Sequence, residues 1–197
     1  MHPFPHPHFA LRRPPLPQFI GAGSSLTGLV PVVLPALAQP GDVLLWSPTL
    51  GSLNGGAGPA LGSGMLLGRR LVAADFAPAT FKTNGQVCWC VYRGIFALNF
   101  KASGSAVGEV HLAGFTKAPS CAGVLAAGFT QAPIGSAPTG KPPFVRRSYA
   151  HDSGAGAGCS IIDLLDPALY VDGTSVTFDG GGGFGSTTYG YLFEALF

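Results

Sequence analysis

Charge is what this sequence has least of: Asp, Glu, Lys and Arg make up 10% of its 197 residues, against about a quarter in ordinary soluble domains. The formal net charge is only +2, although solubility normally depends on charged side chains and a net charge away from zero. Basic residues occur as isolated pairs or singly, so no basic stripe predicts nucleic-acid binding. We therefore expect other subunits of a homo-oligomer to cover much of the surface.

No segment predicts a helix that inserts into a membrane. The apolar stretch of residues 29–38 is interrupted by Pro31 and Pro35, whereas a membrane-spanning helix needs about 20 apolar residues. The same prolines break the helical centre that a secretory signal peptide requires. We predict neither a membrane span nor a cleaved signal.

The sequence also has neither a metal-binding motif nor a disulfide framework. Cys88 and Cys90 flank Trp89 in one expected strand, where their side chains share a face and cannot form a disulfide with each other. Reduced, buried thiols are the expectation. Three histidines of the N-terminal segment could gather a divalent ion, for instance on a threefold axis where copies meet; they are His2, His6 and His8. Because metal sites usually have ligands at fixed spacing on rigid elements, no metal site and no cofactor is predicted.

Catalytic motifs are lacking as well. Residues 180–185 (GGGGFG) formally match a dinucleotide-binding loop, but no helix pattern follows them, so we predict a plain loop. His151, Asp152 and Ser153 are adjacent in the chain, and neighbouring side chains on an extended backbone point apart rather than converging into a triad. We predict a protein that is not an enzyme.

Proline and histidine dominate residues 1–18, which we interpret as an extended arm. Such a segment favours the polyproline conformation and has no hydrophobic period from which to build a core. We expect the arm to dock on a neighbouring subunit, with its stiffness reducing the entropy lost on docking. Its expected contact residues are Pro3, Phe4, Pro5, Pro7, Phe9, Arg12, Arg13, Pro14 and Pro15.

Residues 19–197 consist of short apolar runs separated by Gly and Pro, and this pattern predicts a single β-sandwich or jelly-roll-like domain. Asn84-Gly85 predicts a tight hairpin, with a strand at residues 87–92 that is apolar on both faces and therefore central. Asp172-Gly173 predicts a second hairpin, and Ser160 could cap one short helix that ends before Pro167.

The final segment is expected to be a strand whose alternation places five apolar residues on one face. These residues are Tyr189, Tyr191, Phe193, Ala195 and Phe197.

The chain repeats AGFT and Ala-Pro at a spacing of fourteen residues, in 113–119 and 127–133. Two copies are too few for a solenoid, so we interpret them as equivalent edges of neighbouring strands, with Phe115 and Phe129 in similar environments. Packing in the core is the first interpretation of both phenylalanines. An intersubunit contact is the second.

Several strand-and-turn segments carry a resemblance. They are residues 19–23 (FIGAG), 34–36 (LPA), 40–45 (PGDVLL) and 92–94 (YRG), with the closing stretch 175–197. In these segments the sequence resembles small tail-associated proteins of tailed bacteriophages. The resemblance implies a β-sandwich virion component without enzymatic activity, although the arm and the repeated AGFT region depart from the pattern.

Two functions follow from these features. The first is a structural virion protein, made in the host cytoplasm and anchored to other phage proteins by its arm, with a tail or fibre position preferred over capsid decoration or a head spike. The second is a module of the same particle that recognises host glycan or a receptor through exposed aromatic residues. Candidates for an interface or glycan contact are Phe115, Phe129, Tyr189 and Tyr191.

Overall fold

The computed structural model describes residues 16–49, 51–63, 65–113, 115–131, 139–152, 157–179 and 187–197. Within this part the chain is almost entirely β, which confirms the predicted all-β class. The first half contains β1 (Gln18–Ser25), β2 (Leu29–Pro31), β3 (Val43–Pro48), β4 (Ser52–Gly55), β5 (Ala60–Ser63), β6 (Leu66–Arg70), a 3-10 helix (Ala73–Phe76), β7 (Phe81–Asn84) and β8 (Val87–Arg93). The second half contains β9 (Ala97–Val107), β10 (Glu109–Leu112), β11 (Cys121–Gln131), β12 (Thr139–Gly140), β13 (Val145–Asp152), β14 (Ala157–Leu164), β15 (Val176–Asp179) and β16 (Thr187–Leu196).

Two five-stranded antiparallel sheets form the sandwich. The first inner sheet has the order β1-β8-β3-β6-β5, and the second has the order β13-β14-β11-β16-β9. Their facing sides enclose a central core that includes Leu45, Tyr92, Leu125 and Phe193. Strand β1 lies against β13, and β5 lies against β9, so the edges of the two sheets meet on both sides.

Each inner sheet is covered again on its outer face by a three-stranded sheet. The order β2-β7-β4 forms the first outer sheet and β10-β15-β12 forms the second. Trp46 and Trp89 of the first inner sheet pack under Phe81 of the first outer sheet, while Ile162 and Leu192 of the second inner sheet pack under Phe178. Both inner sheets are therefore apolar on both faces. This confirms the prediction that the strand at residues 87–92 is central and buried on both sides.

The first outer sheet arises because three neighbouring strands bend at one line. Strand β8 pairs with β1 on one side and with β3 on the other. Each of the three strands is continuous with one strand of the outer sheet, where β7 pairs with β2 and β4 in the same order. Gly28 and Gly85 lie at the bend with φ of +67° and +82°, and the N–H of Gly85 donates to the carbonyl of Gly28 at 3.2 Å. A Cβ on Gly51 would meet the backbone of residues 84–86.

This bend corrects the predicted hairpin at Asn84-Gly85. Strands β7 and β8 lie in different sheets, so Gly85 supplies a left-handed bend within a long strand rather than a two-residue hairpin turn. Asp172-Gly173 also forms a turn without a hairpin, because only the residues after it form a strand, β15, which pairs with β10 and β12.

The predicted helix after Ser160 is wrong. Residues Ala157–Leu164 form β14, in which every residue is buried, because it is paired on both sides by β11 and β13 and covered on both faces. A short apolar run that is buried on all sides has no period that separates a strand from a helix.

The repeated AGFT segments are not equivalent strand edges. Phe115 lies in the connection before β11 and packs in the outer core under β15, whereas Phe129 lies within β11 and faces the central core. Both phenylalanines are buried, so the core-packing interpretation is confirmed and the expected similarity of environment is not. In β16, four of the five predicted residues pack against the central core, and Phe197 lies beyond the strand end.

Replacing Gly51 with alanine tests the bend. The new methyl group has to displace backbone that is paired on both sides, so we expect a loss of about 3 kcal/mol in unfolding free energy. Gly173→Ala is the matched control: Gly173 has φ of +80° with no atom near its Cβ position, and the conformational cost alone is about 1 kcal/mol. Denaturant titration measures both, and equal losses would contradict the close approach at the bend.

Candidate interaction surface

Four of the nine acidic residues lie inside the fold, and each one fixes separate segments to each other. They are Asp42, Asp75, Asp163 and Glu194. A buried carboxylate is costly unless hydrogen-bond donors surround it. In each case here, at least one donor comes from a distant part of the chain.

Asp163 connects the two inner sheets. Its Oδ2 accepts a hydrogen bond from the hydroxyl of Tyr92 at 3.1 Å and one from Nε of Arg147 at 2.8 Å. Tyr92 belongs to β8 in the first inner sheet, while Arg147 and Asp163 belong to the second. Burial raises the pKa of the Asp163 carboxyl, and Arg147 and Tyr92 act in the opposite direction.

Glu194 holds together the connection before β11 and the end of β16. Its Oε1 accepts from the N–H of Ala118 at 2.8 Å and from the hydroxyl of Tyr170 at 3.3 Å. Its Oε2 accepts from Nδ2 of Asn99 at 3.0 Å and lies 3.4 Å from Nζ of Lys101. These donors satisfy both carboxylate oxygens, which is typical of a structural role.

The remaining two carboxylates organise one end of the sandwich. Asp42 accepts hydrogen bonds from Nε and Nη2 of Arg93, each at 2.9 Å. Asp75 accepts from the N–H groups of Ala57 and Val72 at 2.6 and 2.9 Å. The loops before β3 and after β6 are thereby fixed to the body.

Arg93 and Arg70 also bind the backbone at this end. Arg93 donates to the carbonyl of Leu37 at 2.8 Å, and Arg70 donates to the carbonyls of Gly41, Ile95 and Phe96 at 3.0, 3.0 and 2.6 Å. Both guanidinium groups therefore bind carbonyl groups next to a rim of apolar side chains.

That rim, which we name the apolar end, consists of Leu16, Leu37, Phe96 and Phe197. Their exposed fractions are 56%, 72%, 72% and 44%. The N–H of Phe96 donates to the carbonyl of Leu196 at 2.7 Å, which places Phe96 next to the C-terminal residue. Leu16 and Phe197 line one pocket of about 280 Å³. Exposed apolar residues grouped at one place are typical of an interaction site.

The arm joins the body at the apolar end. Gln18 is the first residue of β1 and pairs with Arg93, while Pro17 is already buried. The predicted contact residues of the arm, from Pro3 to Pro15, lie outside the described residues, as do the glycines of residues 180–185. The point at which the arm leaves the body is nevertheless fixed beside Leu37 and Phe96.

The predicted aromatic contacts do not form an exposed platform. Phe115 stacks on Tyr170 with 5.7 Å between ring centroids, and Phe129 stacks on Tyr189 at 4.4 Å with an interplanar angle of 4°. Tyr189 and Tyr191 are half-buried against the central core. Their side chains have only limited area left for a ligand.

Sequence reasoning missed both the buried carboxylates and the apolar end. For Asp163 and Glu194, a signal existed: each is a single acid inside an apolar run, SIIDLL and LFEAL. For Phe96, which follows Ile95 after the Arg-Gly turn at residues 93–94, the local sequence gives no signal, because Ile95 is equally apolar but buried.

All four cysteines are buried free thiols, as predicted. Within the described ranges, no three His, Cys, Asp or Glu side chains are grouped so that they could hold a metal ion. No helix in that part of the chain is both long and apolar enough to cross a membrane. No family model, curated protein or solved structure matches this chain.

The raised pKa of Asp163 predicts a specific pH dependence. The pKa of the Asp163 carboxyl in the folded state lies above its ordinary value of about 3.9. Near and between these two pKa values the native state binds more protons than the unfolded state, so this carboxyl adds stability as the pH falls. We expect the unfolding free energy of the unsubstituted chain, measured relative to that of the Asp163→Asn variant, to increase as the pH is lowered from 7 to 4. A relative decrease, as for a carboxylate dominated by its ion pair, would contradict the burial assignment.

Replacing Phe96 tests the apolar end. Phe96→Asp places a charge on a surface that we expect to be covered, while the backbone hydrogen bonds of residue 96 remain. We expect self-association to weaken by about tenfold or more, as for loss of an interface anchor. Val107→Asp is the matched control, because Val107 is 68% exposed but lies at the far end of β9. Light scattering against concentration measures both, and equal effects would contradict the assignment.

Proposed function

We propose that this chain is a non-enzymatic structural component of a tailed-phage virion. In this proposal it is a homo-oligomeric β-sandwich module that its N-terminal arm anchors to other structural proteins of the particle. A tail or tail-fibre position is preferred over capsid decoration or a head spike, because the resemblance of residues 19–23, 34–36, 40–45 and 92–94 is to tail-associated proteins.

The observation that carries the proposal is the apolar end at the root of the arm. Leu37 and Phe96 are largely exposed there, and the arginines beside them bind carbonyl groups. An arm and an apolar surface at one place give a module two means of binding its neighbours. Large exposed apolar side chains are costly for a protein that stays alone in water.

The distribution of charge supports the same conclusion. Four of only nine acidic side chains are inside the fold, so the exterior carries even less charge than the composition indicates. A surface with little charge is poorly protected against association. In a permanent assembly, association is the function of that surface.

Association with particles tests the proposal. An antibody against the chain is applied to tailed particles purified by density gradient from cultures of the organism that encodes it. We expect the antigen to remain with the particles at a fixed copy number. Antigen found only in the soluble fraction would contradict a virion role.

Deleting residues 1–15 separates the structural role from glycan recognition. The deletion ends before Pro17, which is buried, and before β1. We expect the truncated chain to keep the circular-dichroism spectrum and unfolding transition of the full chain but to be missing from particles. Normal incorporation, with binding of host glycan by the truncated chain, would favour the recognition module instead.

A further inference from the structure

An apolar groove lies between two segments of the first half of the chain. Residues 31–38 form one wall and residues 75–81 form the other, and the groove has a volume of about 590 Å³, within the usual range of about 300–1,000 Å³ for binding pockets. Its lining includes Pro31, Val33, Pro35, Phe76 and Pro78. The side chain of Val33 is 83% exposed and that of Phe76 is 38% exposed.

Both walls are held in place by contacts outside the groove. The carboxylate of Asp75, the acidic residue in the lining, accepts from the N–H groups of Ala57 and Val72. Pro35 packs so tightly on Gly21 that a Cβ there would collide with its ring. Ala79 has φ of +59° and is the one non-glycine residue with positive φ in the described part of the chain. Such strained conformations persist only where the surroundings impose them, and they are frequent at binding sites.

The composition of residues 1–15 matches this groove. They include five prolines, Phe4 and Phe9, with no acidic residue. Proline-rich segments enter the polyproline conformation at low entropic cost and dock in grooves lined by aromatic and apolar side chains. The groove has no free carboxylate, and residues 1–15 are rich in Pro and Phe. The two are therefore complementary because both are apolar.

The root of the arm indicates which copy's groove it reaches. Leu16 lines a pocket together with Lys117, Pro119, Pro167 and Phe197, on the side of the second outer sheet. The groove lies on the side of the first outer sheet, and the root of the arm comes near it at the end of one wall, where Arg93 binds the carbonyl of Leu37. To enter its own groove the arm would have to reverse direction near residues 14–17 (PPLP), where three prolines favour an extended chain. Extended at about 3.1 Å per residue, fifteen residues are long enough to reach another molecule.

We propose that residues 1–15 of one copy bind the groove between residues 31–38 and 75–81 of a second copy. This deepens the proposed function, on which it rests, by naming the subunit surface that receives the arm. Phe9 and the prolines near it are the segment that contacts Val33 and Phe76.

Site-specific cross-linking of the full chain tests the assignment. One chain carries benzoylphenylalanine in place of Phe9, and it is co-expressed with a chain marked by Val33→Ile, which adds one methylene to the groove peptide. After irradiation, mass spectrometry identifies the peptide joined to residue 9. We expect residues 31–38 or 75–81, with the heavier, marked form of the 31–38 peptide among the products.

A matched pair of variants supplies the control. Val33→Arg blocks the groove and is expected to lower the cross-link yield about fivefold or more, whereas Val107→Arg makes the same change on exposed β9 and leaves the yield unchanged. Cross-links only to the groove of the same chain, to another part of the body, or to nothing in the assembled protein would overturn the proposal. Equal yields from both variants would also overturn it.

The outcome also separates this inference from the virion role. If the antigen is found in particles but residue 9 cross-links only to a different virion protein, the exchange of arms between copies is wrong while the structural role stands. If residue 9 cross-links to the groove of a second copy but the antigen is absent from particles, the exchange stands and the virion role is wrong.

Discussion

The whole fold depends on two inner sheets that are apolar on both faces. A sandwich normally needs only one buried face on each sheet, but here Trp46 and Trp89 lie on the outer face of one sheet and Ile162 and Leu192 on the outer face of the other. Each outer face therefore has to be covered. The chain covers the first by bending three strands at Gly28, Gly51 and Gly85, and covers the second with β10, β12 and β15. Lone buried carboxylates then fix the connections between these layers.

This constraint explains which features could be predicted from sequence. The all-β class, the central strand β8 and the inward face of β16 follow from the local pattern of apolar residues along each strand. This pattern depends only on the residues themselves. The roles of Asn84-Gly85 and of Ser160 depend on which strand lies alongside. A glycine that permits a hairpin also permits a bend, and a strand buried on both faces has the same apolar run as a buried helix.

The candidate surface was even harder to predict. Phe96 is one of fourteen phenylalanines, and only the tertiary fold shows that it is exposed beside Leu37 and the root of the arm. The structural role of the buried carboxylates likewise becomes clear only from the fold, which places Tyr92, Arg147 and Tyr170 around them as hydrogen-bond donors. Interpreting the sparse charge as a sign of subunit contacts remains a proposal. It gains support because the fold buries nearly half of the acids and leaves large apolar residues exposed at one end.

The central claim is that other subunits cover the apolar end. The most direct test is to measure the solvent accessibility of the side chains at the apolar end in the full-length protein. Hydroxyl-radical footprinting reports this for individual aromatic residues. Tyr149 is a suitable reference, because it is 52% exposed and lies on β13. If other subunits cover the apolar end, Phe96 and Phe197 are oxidised much more slowly than their exposure in the single chain predicts, relative to Tyr149. Oxidation at the rate expected for the isolated fold would contradict the account.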